Sequence, residues 1–120
     1  MLKSQNPKRG DVIRVRLDPT EGSEQGGERP ALVISPDIIN AHSHLIIIAA
    51  ITSKKTEYIY AFETLIEPPE GGLDVRSKVM LTQLRSIDKS RICGYYGTVS
   101  QTIMDDVENA LKIATGLRRV

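Results

Sequence analysis

The sequence has no tryptophan, a single phenylalanine (Phe62) and a single cysteine (Cys93). With so little aromatic bulk, a core has to be assembled from Ile, Leu, Val and Ala. One thiol excludes an internal disulfide and any metal cage built on several cysteines, and it fits a reducing cytoplasm. Free cysteine usually serves as a small apolar filler, and Cys93 is read that way, within a strand. Only two histidines are present, His42 and His44. A histidine pair suggests acid–base chemistry, but these two fall in a connection between apolar segments and are read as surface residues. A metal site there is disfavoured, because Asp37 is the only nearby carboxylate before Glu57.

Charge of one sign is also lacking. Sixteen Lys and Arg face fifteen Asp and Glu, for a net charge of +1. A strongly basic nucleic-acid binder carries more, so any grip on a polyanion has to come from a local patch. Long apolar runs are missing as well. Leu45 to Ile51 is the longest, far short of the ~20 residues that span a bilayer, and the first nine residues have no apolar centre of the kind a signal peptide needs. No membrane partner is expected. The 120 residues fit one domain, 1–120, with no room for a second.

What is present is mostly strand pattern. Val12 to Leu17 alternates, with Ile13, Val15 and Leu17 on one side and Val12, Arg14 and Arg16 on the other, so one buried face is expected. Asp18-Pro19-Thr20 stops it. Glu21 to Arg29 is polar and holds Gly22, Gly26 and Gly27. It is a loop too long for a tight hairpin, and such loops are often functional. Ala31 to Ile34 is a strand, and Asp37 to Ala41 one helical turn. Leu45 to Thr52 has the pattern of the most buried strand. Tyr58 to Thr64 reads as another strand, Pro68 to Gly72 as a loop, and Ser77 to Leu84 as a strand followed by a turn at Ser86 to Ser90. Gly94 to Val99 is short and β-prone. Ser100 then caps an amphipathic helix whose apolar face is Ile103, Val107, Leu111, Ala114 and Leu117. The fold class is mainly β with a C-terminal helix, α+β by content: a small, curled antiparallel barrel.

Three blocks carry a resemblance. Arg9-Gly10-Asp11-Val12 and the segment Asp18 to Ser35, with its Gly26-Gly27-Glu28-Arg29-Pro30 centre, resemble the first conserved region of MazF/PemK/Kid-type toxins. Ala49-Ala50-Ile51-Thr52-Ser53 resembles the second, and Gln83 to Arg91 the third. Order and spacing agree across nearly the whole chain. The resemblance implies an SH3-like β-barrel that forms a homodimer. It implies a toxin of a type II toxin–antitoxin system, a cytoplasmic, metal-independent endoribonuclease that needs no cofactor and cuts single-stranded RNA at short sequences. A cognate antitoxin protein is the implied partner, covering the RNA site.

Metal-free cleavage can use the ribose 2′-OH as nucleophile, which restricts the reaction to RNA. The resemblance assigns catalysis to Arg29 and Thr52. A guanidinium can hold two phosphate oxygens of the phosphorane, although an Arg is poorly matched to general-base work at neutral pH. The Thr52 hydroxyl can donate to a phosphate oxygen or orient the 2′-OH. An ordinary surface ion pair of Arg29 with Glu28 or Glu24 is the competing reading. RNA contacts are expected from Ser23, Glu24 and Gln25 in the glycine-rich loop, from Ser53 and Lys54 after Thr52, and from Gln83 and Arg85, which alternate on one strand and face one side. Relatives often carry an acid just before the Gln of the third block, where this chain has Thr82. The base is then Glu24 or solvent, or the rate is reduced. Arg14 and Arg16 also depart from the aromatic and the acid common at those positions. The alternative function is a non-catalytic relative of the same fold that poisons gyrase or only binds RNA. Gyrase poisons rely on a Trp-bearing tail, and this chain ends Leu117-Arg118-Arg119-Val120.

Overall fold

The computed structural model describes residues 6–17 and 27–119. The strands are β1 (Asp11–Leu17), β2 (Gly27–Val33), β3 (Leu45–Thr52), β4 (Glu63–Ile66), β5 (Ser77–Asp88) and β6 (Ile92–Thr98). A short helix α1 (Asp37–His42) links β2 to β3, and α2 (Gln101–Ala114) follows β6. The strands form one sheet in the order β4-β5-β3-β2-β1-β6, with every neighbouring pair antiparallel. The expected antiparallel barrel is thus realised as a curled sheet whose end strands are β4 and β6. Among the described residues no helix is long and apolar enough to cross a membrane.

The pleat sorts the apolar residues into two cores. One holds Ile13, Val15, Ala31, Val33, Ile46, Ile48 and Ile87. The other holds Val12, Leu32, Ala49, Ile51, Val79 and Leu81 and is covered by Met104, Val107 and Ala110 of α2. Full burial of each such Ile, Leu or Val contributes roughly 1.5–3 kcal/mol relative to exposure. Val12 was expected on the exposed side of β1. It is fully buried instead, because the outer side of the strand's first turn lies under the second core, while Arg14 and Arg16 further along do reach solvent.

Other differences have equally local causes. The strand expected over Tyr58 to Thr64 begins only at Glu63, and residues 58–62 form no ladder. Strand β5 runs to Asp88, into the turn expected at Ser86 to Ser90, because Ile87 keeps the alternation and pairs with Ile46. The chain turns one residue later, where the Asp88 carboxylate accepts the Ser90 N–H at 2.8 Å. That bond holds the Asp88 carboxyl below its usual range. Leu45 and Ile47 belong to the strand that looked most buried, yet they lie 51% and 38% exposed beyond the edge of the second core. Helix α2 starts as expected, with the Ser100 hydroxyl accepting the Ile103 N–H. It stops before Leu117, because Gly116 takes a left-handed conformation, φ 79°. Cys93 sits half-buried in β6, and His42 and His44 are at the surface.

Candidate active site

The site follows from the register of three strands. Arg29 lies on β2 directly opposite Val15 of β1, so it shares the face of the first core. Between β2 and β3 the partners are Ala31–Ala50, Leu32–Ala49 and Val33–Ile48. Carried two residues further, the same register sets Arg29 against Thr52. The ladder itself stops at Ala31–Ala50, where Pro30 has no N–H to donate. Arg29 and Thr52 are therefore on the same side of the sheet, at the ends of adjacent strands.

Arg29 is half-buried, and among the described residues its side chain has no hydrogen-bond or ion-pair partner. The surface pair with Glu28 is not formed. Glu28 points to the other side of the sheet and engages Arg14 at 3.4 Å and Arg16 at 3.6 Å. Glu24, the other partner considered, lies outside the described residues; a partly desolvated guanidinium suits an anion. The Thr52 hydroxyl oxygen accepts the Lys54 N–H at 3.1 Å. That bond fixes the side chain and leaves the hydroxyl proton to be donated elsewhere. Ser53 and Lys54 follow in an exposed bend.

The third block enters through β5. Arg85 is opposite Ile48 of β3, and so faces the same side as Thr52. Between Leu84, opposite Ala49, and Met80, opposite Ala50, three residues have no partner: Leu81, Thr82 and Gln83. Leu81 turns into the second core, while Thr82 and Gln83 are exposed. A bulge of this kind re-aims side chains, and here it leaves Gln83 exposed two residues before Arg85. No other polar group among the described residues binds the side chain of either. Ser23, Glu24 and Gln25 lie outside the described residues.

Lys78 was not foreseen as part of this site. It stands directly across from Thr52 on β5. It is buried, paired with Glu63 at 2.9 Å, and also donates to the Tyr58 carbonyl at 3.3 Å. Nothing in its sequence context separates it from the solvated lysines at 54 and 55. The chemistry available is that of anion binding: two arginines with no partner among the described residues and a donor hydroxyl on one side of the sheet, with an exposed amide side chain on the same strand as Arg85.

Comparison with known proteins identifies the family of the chain. The family profile of PemK-like, MazF-like toxins of type II toxin–antitoxin systems matches residues 8–115. Endoribonuclease MazF of Staphylococcus saprophyticus is 37% identical over 113 residues, 94% of either chain. The crystal structure of MazF from Deinococcus radiodurans superposes with a TM-score of 0.76 at 28% identity, covering 94% of this chain and 99% of that one. A MazE–MazF structure from the same organism gives 0.76 at 27%, covering 96% and 100%. The match takes in both strands that carry Arg29 and Thr52, and the chain belongs to the PemK-like, MazF-like toxins of type II toxin–antitoxin systems.

Proposed function

We propose that the chain is the toxin component of such a system, a sequence-specific endoribonuclease that cuts single-stranded RNA without a metal or other cofactor. The single observation that carries this reading is that Arg29, with no partner among the described residues, shares one side of the sheet with Thr52 at the ends of adjacent strands. A related chain of 37% identity is named an endoribonuclease. One domain carries the activity, and the cytoplasm, where its RNA lies, is the proposed compartment.

In the proposed step the ribose 2′-oxygen attacks the adjacent phosphorus. The 2′-O–P bond forms and the P–O5′ bond breaks, leaving a 2′,3′-cyclic phosphate and a 5′-OH. Arg29 holds the two non-bridging oxygens as charge grows on the phosphorane, and its N–H groups face the leaving oxygen. Thr52 donates to a phosphate oxygen. Gln83 and Arg85 hold the flanking nucleotides, with Ser23, Glu24 and Gln25 of the glycine-rich loop and Ser53 and Lys54 reading the other side. Thr82 supplies no carboxylate, so the 2′-OH proton passes to Glu24 or to water, and the 5′-oxygen takes its proton from solvent or from Arg29.

Two protein partners complete the reading. The Deinococcus relative is solved with MazE, and a cognate antitoxin covering the same face is proposed here. A second copy of the chain is the other partner. Ile38 of α1 and Leu45 and Ile47 of the following strand are 67%, 51% and 38% exposed, an apolar group that a homodimer would cover.

Three outcomes are expected. Cleavage of a long single-stranded transcript persists in excess EDTA, because among the described residues no three His, Cys, Asp or Glu side chains come together. Loss of cutting in EDTA and its return with Mg²⁺ contradicts the mechanism. Light scattering gives a dimer mass at micromolar concentration, and Ile47→Asp lowers it to a monomer; a wild-type monomer contradicts the pairing. In single-turnover cleavage Arg29→Ala loses at least ~10²-fold, the scale for one preorganised donor. Arg29→Lys recovers little, because an ammonium cannot bridge two oxygens. Thr52→Ser keeps most activity, whereas Thr52→Val loses it with an unchanged thermal midpoint. Near wild-type cutting by Arg29→Ala means that the site is misplaced.

A further inference from the structure

The chain has five aromatic residues, four Tyr and one Phe, and three of them are Tyr58, Tyr60 and Phe62. A fold so poor in aromatic bulk gains most by burying it. Instead Tyr58 is 61% exposed and Tyr60 49%. The three rings form one run. Tyr60 stacks on Phe62 with ring centres 5.2 Å apart and planes 3° from parallel. Tyr58 meets Tyr60 edge-on at 4.6 Å and 74°. Tyr58 therefore ends the run with most of its ring in solvent.

The segment makes no strand, yet it is tied down. The Tyr60 N–H donates to the Glu63 carboxylate at 3.0 Å, and the Leu81 N–H donates to the Phe62 carbonyl at 3.2 Å. Lys78 binds the Tyr58 carbonyl and Glu63 together, and its ammonium lies 5.8 Å from the Tyr60 ring centre. Lys78 is also the residue directly across from Thr52. The aromatic run is thus tied to the residue that pairs with Thr52 on the neighbouring strand. Lys54 and Lys55, both exposed, lie on the connection from Thr52 to Tyr58, with Glu57 its only carboxylate.

We propose that Tyr58 is a stacking platform for an unpaired base of the RNA, one that neighbours the nucleotide cut at Arg29 and Thr52. This rests on the endoribonuclease reading. A flat ring fixed in advance loses little entropy when a base settles on it, and lysines beside it suit the phosphates on either side. Single strands offer bases free for this contact, whereas a duplex does not. Tyr60 and Phe62 brace the platform from behind. Every base has a face to stack, so Tyr58 holds the strand next to the cut whichever base stands there.

The test uses the full chain and a mixed-sequence pool of 2′-O-methyl RNA about 12 nucleotides long, which cannot be cut because it lacks the nucleophile. Binding is measured for wild type, Tyr58→Ala and Tyr58→Phe, and cleavage of a long unmodified transcript is measured in parallel. Tyr58→Ala is expected to weaken binding about tenfold, the scale of one lost stacking contact. KM rises by the same factor, kcat stays within about twofold of wild type, and the mapped cut sites stay the same. Tyr58→Phe keeps wild-type binding, since the ring rather than the hydroxyl is used. A thermal midpoint unchanged in both variants is expected at so exposed a position. Wild type that fails to bind the pool overturns the inference. So does an alanine variant that binds as wild type does, or a phenylalanine variant as weak as alanine. Tyr58-dependent binding without any cutting refutes the nuclease reading while supporting the platform. Cutting unaffected by Tyr58→Ala refutes the platform alone.

Discussion

Strand β3 is hydrogen-bonded on both sides, to β2 and to β5, and both cores draw on it. Its pleat sends Ile46 and Ile48 into one core and Ala49 and Ile51 into the other. A slip of one residue would exchange those sets, driving Thr52 toward the side covered by α2 and turning Ile48 out of its core. The apolar burial on both faces holds the register, and the register holds the site. Thr52 is the last residue of this strand, and Arg29 lies on one neighbour and Lys78 and Arg85 on the other. The candidate catalytic face is thus set by strand pairing in the body of the sheet.

The way charge is distributed over the molecule serves the same end. With a net charge of +1 the chain has no general attraction for a polyanion. Several cations away from the site are neutralised. Arg9 pairs with Glu108, Arg76 with Glu67, and Arg14 and Arg16 share Glu28. Exposed pairs of this kind add little stability. Arg29 and Arg85, by contrast, have no carboxylate partner among the described residues and lie on the face of Thr52. The field that an RNA phosphate meets is then concentrated where cleavage would take place.

Period-two alternation located β1, and the length of the apolar run located β3 to the residue. The terminal helix was legible from Ser100 and the spacing of Ile103, Val107 and Leu111. Arg29, Thr52, Gln83 and Arg85 came from the order of the three blocks, and their convergence on one side of the sheet follows once the strands pair. Three kinds of feature stayed hidden. The three-residue bulge at Leu81 to Gln83 depends on what β3 offers across the ladder, which no local pattern encodes. Lys78 is spelled like any solvated lysine, and only the fold buries it beside Glu63. The alternation Tyr58, Tyr60, Phe62 has the period of a strand. Rings on alternate residues also suit a stack, and the sequence alone does not distinguish the two.

In the proposed reaction the protein positions the RNA's own 2′-hydroxyl for attack and polarises the phosphate with Arg29. The most direct measurement uses one short RNA that contains a mapped cut site, prepared in two forms that differ only in a 2′-O-methyl group on the nucleotide 5′ to the cut. The account predicts that the modified RNA still binds and is not cut at that bond, while the unmodified RNA yields a 2′,3′-cyclic phosphate and a 5′-OH by mass spectrometry. Cleavage of the methylated bond at the unmodified rate, or products bearing a 5′-phosphate, would contradict it.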